Sequence, residues 1–559
     1  MKNIKASLRS RVDAAQGKIP CDVVIQNVTY LDVFSNEWRQ GDVSIIEDTI
    51  VGLETGLKGK QTIDGKGKWL VPGFIDAHVH VESSLMTPRN FQNAVIARGT
   101  TTAICDPHEL TNVIGPLALG YFLEQAEKLD LDLRVMLSSC VPATHLETNG
   151  GGIVDVQKLM QYAHHPKVLG LAEMMNVPGV LNGDPLVHAK IDAFSERVID
   201  GHCPLLSGKA LAAYAAAGIS SCHESSRLDE AREKLKNGIA IWIREGSVAK
   251  DLRELSPLLT LATSTSIGFC TDDRNPLEIA TEGHLDYLIR KGIQYGISPE
   301  VAYRSASFST ARHYGLKSVG AIAPGYRADL VLLNDFLSCD VSNVLKSGRF
   351  VAELDTASIP TQTGVGTIFA AIPAESDLVG PSGRVHVIGV EAGKIITTRH
   401  VLAHDDPGVA RLTVLERHGH HRKPANAYAV GFGENLNGAI ASSVGHDSHN
   451  LIVVGKRTSE MRLALAALIQ SGGGFCVVKG ETVLAHLPLP MGGLMSDRSP
   501  AEIESSLREL RAASRAIGCE LPEPFLQLAF LSLPVIPTLK LTDQGLVDVD
   551  QFSIIDVRA

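Results

Sequence analysis

Residues 71–80 read VPGFIDAHVH. Pro-Gly opens the run, apolar residues carry it, and two histidines close it. Side chains two apart on a strand point the same way, so His78 and His80 would share one face. Two imidazoles on one strand after Asp76 form a metal-binding arrangement. Taken alone, they are equally two core histidines with satisfied hydrogen bonds.

Seven further stretches resemble this one: TTAICD, LRVMLSSCV, VLGLAEM, RVIDGHC, ISSCHES, IAIWIRE and SIGFCTD. Helical candidates such as ALGYFLEQAEKL and GKALAAYAAAG separate them. Eight β-α alternations over about 245 residues match a (β/α)8 TIM-like barrel in count and size, here residues 71–319. Most candidates run into ionisable groups: His78/His80/Glu82, Asp106/His108/Glu109, His145/Glu147, Glu173, His202, His223/Glu224, Arg244/Glu245 and Asp272/Asp273. In a parallel barrel these ends share one rim, where active sites sit.

The flanks differ. CDVVIQNVTYLDV and GDVSIIEDTIVGLE precede the barrel segment, and ADLVLLND and SNVLKSGRFVAEL follow it. They predict a composite β-sandwich from residues 1–70 and 320–360. Residues 361–559 alternate strand candidates with Gly-rich turns and two amphipathic helices, the second capped by Ser499-Pro500. They predict a C-terminal α+β domain. The fold class is therefore α/β, a barrel with two additions.

The chain has 559 residues and a net charge of −10, with no basic block, which argues against nucleic acid or an anionic membrane as partner. No run is long and apolar enough to span a bilayer, and the N-terminus lacks the apolar core of a secretory signal. The nine cysteines lie in apolar contexts without a CxxC pair, which predicts reduced thiols in a cytoplasmic protein and no thiolate zinc site.

Glu173, His202, His223 and Asp272 add four ligand candidates to His78 and His80. Imidazole with carboxylate suits Zn, Mn, Fe or Co. Six ligands exceed one tetrahedral ion, whereas two ions about 3.5–4 Å apart with a bridging carboxylate would use them all.

VPGFIDAHVHVESS, that ordered ligand series and PGYRADLVLLND resemble the amidohydrolase superfamily. HVHVESSLMTP, DPHELTNVIG, LAEMMNVPGV, DGHCPLLSG, CHESS, TDDRNP, SVGHDSHNLIVVG and PLPMGGLMS resemble its adenine deaminase family. The resemblance runs from about residue 70 to residue 496. It implies hydrolytic deamination of adenine to hypoxanthine and ammonia, in purine salvage, by hydroxide activated at a binuclear centre. His78 and His80 would hold the buried metal, Glu173 would bridge, His202 and His223 would hold the second ion, and Asp272 would touch the first metal and the attacking water. Mn²⁺ or Fe²⁺ is the implied metal, with Zn²⁺ also suited. Asp272 would move protons from the water to the leaving amino group. Glu82, or another rim carboxylate, would protonate N1.

Other rim groups divide between chemistry and structure. Asp106, His108, Glu109 and Asp273 are candidate substrate-binding groups, and Asp106-Pro107 could equally cap a helix. His446, Asp447 and His449 would close the site if the C-terminal domain folds over the rim, and otherwise form a polar turn. His418, His420 and His421, in ERHGHHRKP, read as a solvated loop, and Gly472–Gly474 as a tight turn. Met174, Met175, Met491 and Met495 read as packing, although Met491 and Met495 could line a purine slot. The metal ligands alone also fit another hydrolase of this superfamily acting on a cyclic amide or aminated heterocycle. A non-catalytic scaffold should have lost ligands. A homodimer is expected by analogy.

Overall fold

The computed structural model describes residues 7–357, 367–420 and 423–559. The chain before residue 73 contributes β1 (Cys21–Asp32), β2 (Glu37–Ile46), β3 (Thr49–Gly52), β4 (Gly59–Asp64) and β5 (Trp69–Pro72). Then come β6 (Phe74–Val79), β7 (Thr100–Cys105), β8 (Asp132–Leu137), β9 (Val168–Met174), β10 (Val198–Gly201), β11 (Ser221–Cys222), β12 (Ala240–Arg244) and β13 (Ile267–Cys270). These are the eight candidate strands, each in its expected stretch.

They run parallel in two sheets, β10-β9-β8-β7-β6 and β11-β12-β13. A few hydrogen bonds cross between the sheets. Ser220 N–H donates to Ile199 C=O at 2.9 Å, and Asp272 N–H donates to His78 C=O at 3.0 Å. The strands are buried on both faces and most are largely apolar, as expected of strands covered on both sides. In β12, Ile241 and Ile243 pack outward with Leu252, Leu285 and Leu288, while Ala240 and Trp242 pack inward with Ile75, Ala77 and Ala172. That inward packing leaves the polar residues at the carboxyl ends of the strands.

After this layer come β14 (Leu330–Asp335), β15 (Asp340–Lys346) and β16 (Arg349–Phe350). β14 pairs antiparallel with β5, Leu332 opposite Leu70, so the segments flanking the parallel strands join. They form one continuous hydrogen-bonded sheet, β16-β15-β14-β5-β1-β2-β3, with β4 added on β1.

The C-terminal part holds β17 (Arg384–Gly389), β18 (Thr398–Ala403), β19 (Ala410–Leu415), β20 (Ala425–Val430), β21 (Ala439–Ser442), β22 (Leu451–Gly455), β23 (Gly474–Lys479) and β24 (Thr482–Pro488). They form one sheet, ordered β18-β17-β20-β19-β22-β21-β23-β24. A meander of β25 (Leu539–Thr542), β26 (Gly545–Asp548) and β27 (Ser553–Ile555) follows. The helix Pro500–Ala516 starts at a capping box of Ser499 and Glu502. Gly472, Gly473 and Gly474 all have positive φ and turn the chain into β23. β19 and the meander were not anticipated from sequence.

The C-terminal part seats on the rim of the parallel strands. Ser496 N–H donates to Leu85 C=O at 2.9 Å, Asn450 Nδ2 to Thr148 C=O at 2.9 Å, and Thr542 Oγ1 to Leu146 C=O at 2.6 Å. The β21–β22 turn, residues 443–450, thereby faces the strand ends. No helix among the described residues is long and apolar enough to cross a membrane.

Candidate active site

His78 and His80 project from β6 to the same side, with their Nε2 atoms 3.1 Å apart. Glu173, at the end of β9, divides its carboxylate between two groups of imidazoles. Its Oε1 lies 3.3 Å from His80 Nε2 and 3.8 Å from His78 Nε2. Its Oε2 lies 2.7 Å from His202 Nδ1 and 3.3 Å from His223 Nε2. Asp272 Oδ1 stands 3.2 Å from His80 Nε2 and 3.6 Å from His78 Nε2. All six residues are buried.

This donor set fits a divalent first-row cation. Several groups of three or more imidazole and carboxylate atoms converge closely enough to share an ion. His202 Nε2 is buried and has no hydrogen-bond partner. Burial and the facing His223 ring hold the His78 imidazole well below its ordinary pKa, so its lone pair is free to ligate. The carboxylate of Glu173 reaches both halves of such a set, and that of Asp272 reaches the half formed by His78 and His80.

Asp272 adopts φ 52°, a left-handed backbone for a non-glycine residue just past β13. Burial opposes ionisation of its carboxyl, but His80, His223 and Arg244 outweigh it and hold the group well below the usual carboxylate range. Arg244 binds Asp272 Oδ2 at 3.0 Å and Asp251 Oδ2 at 3.1 Å, and also forks onto Glu224. Arg244 and Glu224 appeared in the sequence only as rim polarity. The signal was an arginine closing the apolar run IAIWIR, since a buried guanidinium needs carboxylates.

A second ring lies beside this one. Asp106 accepts from His108 Nδ1 at 2.9 Å and from Ser138 Oγ at 2.8 Å, and it forms no side-chain cap on the helix His108–Ile114. Glu109 Oε1 lies 2.7 Å from His446 Nδ1, and its Oε2 touches His449 Nε2. The loop between β21 and β22 therefore meets the rim, and all four residues of HDSH, His446 to His449, are buried. Ser83 Oγ donates to Asp273 Oδ1 at 2.5 Å, and Leu110 N–H donates to Glu82 Oε1 at 3.2 Å. Burial, with Glu109 nearby, pushes the Glu82 carboxyl up to about 8.

A cavity opens between the two parts of the chain. Glu109, Glu173, His202, Asp272 and Asp273 line one wall, while Ile395, His446, Asp447, Phe530, Leu533 and Ile536 line the other. The Phe530 ring stacks on His446, centroids 4.6 Å apart. Glu82, Asp106 and His449 stand behind the lining residues, and Met491 and Met495 are away from it. Nothing in the sequence around Phe530, Leu533 and Ile536 marked them, because they are ordinary apolar residues placed by tertiary packing.

Two expectations are corrected. His145 is exposed and rests near Phe552, outside the cavity, because the chain after β8 turns it outward. His418 is not solvated. It is half-buried, its Nε2 stands 2.9 Å from the Ser448 carbonyl, and burial lowers its pKa to about 3. His420 is exposed, and His421 lies outside the described residues.

The description "Amidohydrolase family" matches residues 69–351, and "Adenine deaminase C-terminal domain" matches residues 390–553. An adenine deaminase from Gluconobacter oxydans (strain 621H) is 50% identical, covering 99% of this chain and 100% of its own. Adenine deaminase 1 from Agrobacterium fabrum (strain C58) is 46% identical over 99% of this chain and 98% of its own. An adenine deaminase from Methylobacterium nodulans is 48% identical over 98% and 100%. With full-length relatives at this identity, and both halves of the chain matched, the protein belongs to the adenine deaminase family of the amidohydrolases.

Proposed function

We propose that this chain hydrolyses adenine to hypoxanthine and ammonia at a binuclear centre held by His78, His80, Glu173, His202, His223 and Asp272. The observation that carries the reading is the divided carboxylate of Glu173, with one oxygen toward His78 and His80 and the other toward His202 and His223. Manganese or iron(II) suits these ligands best, with zinc also compatible. Once bound, such a pair lowers the pKa of water to near 7 and supplies a hydroxide nucleophile.

Asp272 orients the attacking water, accepts its proton and returns it to the amino group as ammonia leaves C6. Arg244 keeps Asp272 ionised and aimed. The purine needs a proton at N1 as density moves onto the ring, and a carboxyl on the cavity wall must deliver it. Asp273 occupies that wall with its carboxyl pushed up by burial and by Asp272, while Glu109 beside it, despite its burial, is held ionised by His446 and His449. Glu82, held protonated by burial, stands as the second proton source for N1. General acid–base steps of this kind contribute about 10²–10⁴-fold. Asp106 and His449 position His108 and Glu109, while His446 with Phe530 faces the ring and excludes water.

We read the eight parallel strands as one closed (β/α)8 barrel, a reading the inter-sheet hydrogen bonds support. The same reading divides the chain into a composite β unit of residues 1–70 and 320–360, a barrel of 71–319 and a C-terminal lid of 361–559. Nine free, buried cysteines suit a reducing compartment. A homodimer is the assembly we assign.

The test is ammonia release from adenine, guanine, cytosine and dihydropyrimidines, run beside metal quantification after Mn²⁺ loading. Turnover of adenine with about two metal equivalents is the expected result. Turnover of only a cyclic amide would overturn the substrate assignment.

A further inference from the structure

Cys203 follows His202 directly, and Cys222 directly precedes His223. The two thiols leave neighbouring strand ends, β10 and β11, on the side away from the cavity. They meet with their Sγ atoms 3.6 Å apart. Both are fully buried, packed with Leu211, Tyr214 and Ile219 between strands and helices. The Lys234 ammonium, also buried, stands 3.4 Å from Cys222 Sγ. Its other partners are the Glu224 carbonyl at 2.7 Å, Ser225 Oγ at 3.0 Å and Glu230 Oε1 at 2.8 Å.

From this geometry we infer that Cys203 and Cys222 form a redox-sensitive dithiol, oxidised to a disulfide that displaces His202 and His223. The link to the imidazoles rests on the proposed ligand assignment; the formation of the disulfide does not.

Three facts make the pair special among thiols that are all buried. A sulfur–sulfur bond is about 2.05 Å long, so closure draws the two sulfurs about 1.6 Å nearer, within reach of side-chain rotation and a small backbone shift. A fixed cation beside one sulfur stabilises the charge that develops there as it attacks. Each cysteine is joined by one peptide bond to an imidazole of the site, so a shift made to close the bond reaches both imidazoles.

The chemistry balances with an oxidant of the peroxide class. One sulfur takes an oxygen from hydrogen peroxide, giving a sulfenic acid and one water. The second thiol's sulfur attacks the first, forming the S–S bond and expelling the sulfenic oxygen as a second water, which carries off the thiol proton. Two thiols and one peroxide yield one disulfide and two waters. Thiols restore the dithiol by exchange.

The misplacement predicted is on the scale of 1 Å, which costs about 10²-fold in a catalytic site. The experiment treats the manganese-loaded chain with hydrogen peroxide or with diamide, alkylates it in denaturant and maps its peptides by mass spectrometry. The expected result is a linked Cys203–Cys222 peptide, lighter by two hydrogens, reversed by dithiothreitol. Bound manganese and adenine turnover should fall with it, turnover at least tenfold. C203A and C222A should match the untreated wild type and lose the reversible response. C203S and C222S repeat the test if alanine impairs folding. Separate alkylation of both cysteines after either oxidant would overturn the proposal, as would an equal reversible loss in C203A. A disulfide that forms while manganese stays bound would overturn its coupling to His202 and His223. Absence of adenine turnover in the reduced chain would instead count against the proposed function, since peptide mapping needs no turnover.

Discussion

Arg244 Nη1 lies 3.0 Å from Asp272 Oδ2, so the residue assigned to carry protons is tethered to a buried guanidinium. The same fork holds Glu224 and Asp251. Lysine keeps the charge but cannot bind three carboxylates in one plane. Arg244→Lys should therefore lower kcat by about 10–10² while leaving KM within a few-fold, and Arg244→Met should do worse. Steady-state kinetics with adenine checks this; unchanged kcat in the lysine variant would remove the tether from the mechanism.

Asp272→Asn should keep the fold and much of the metal yet lose about 10²–10⁴ in kcat, because an amide cannot accept the proton. Circular dichroism, elemental analysis and turnover are to be measured on one preparation. Wild-type turnover would refute the role.

Glu173→Gln replaces a bridging anion with a neutral amide between two imidazole sets. Metal content after Mn²⁺ loading and gel filtration should fall below two equivalents, and activity with it. Two full equivalents by elemental analysis would count against bridging.

The cavity's second wall belongs to residues after position 360, notably His446 and Phe530. Removing that portion should abolish activity. Phe530→Ala is the milder check: loss of the ring that stacks on His446 should raise KM for adenine several-fold with little effect on kcat. An active truncated chain would dismiss the lid.

Lys540 donates to the carbonyls of Ile395 and Phe530, each at 2.9 Å, just behind that wall. Burial alone pulls its ammonium down to about 7. Below that pH both folded and unfolded chains carry the proton, and the full cost of burying the charge is present. Between about 7 and 10 only the unfolded chain keeps it, so stability rises with pH, by at most about 1.4 kcal/mol per unit. Wild type should gain melting temperature relative to Lys540→Met as pH rises from 7 to 9.5. A parallel pH dependence in both proteins would refute the burial effect.

Much of this was legible in residue order. The eight strands stand where apolar runs alternate with helical stretches, and their carboxyl ends carry the candidate ligands. His78 and His80 share a face because a strand repeats every two residues. Where reading failed, local composition misled. ERHGHHRKP looks solvated, yet His418 is anchored by the Ser448 carbonyl. His145 sits among rim-like polar residues and points outward. The strands β25 to β27 are three or four residues long, too short for a periodic signal.

Residue order alone determined the alternation of strands and helices, the face each strand presents, and the kinds of ligand waiting at the strand ends. Those properties follow from backbone periodicity and from the cost of burying polar groups, both local. Which oxygen of Glu173 meets which imidazole, that Arg244 grips Asp272, and that Glu109 lies between His446 and His449 were decided by tertiary structure. These contacts join residues far apart in the chain, and only the packing of one apolar surface against another brings them within bonding distance.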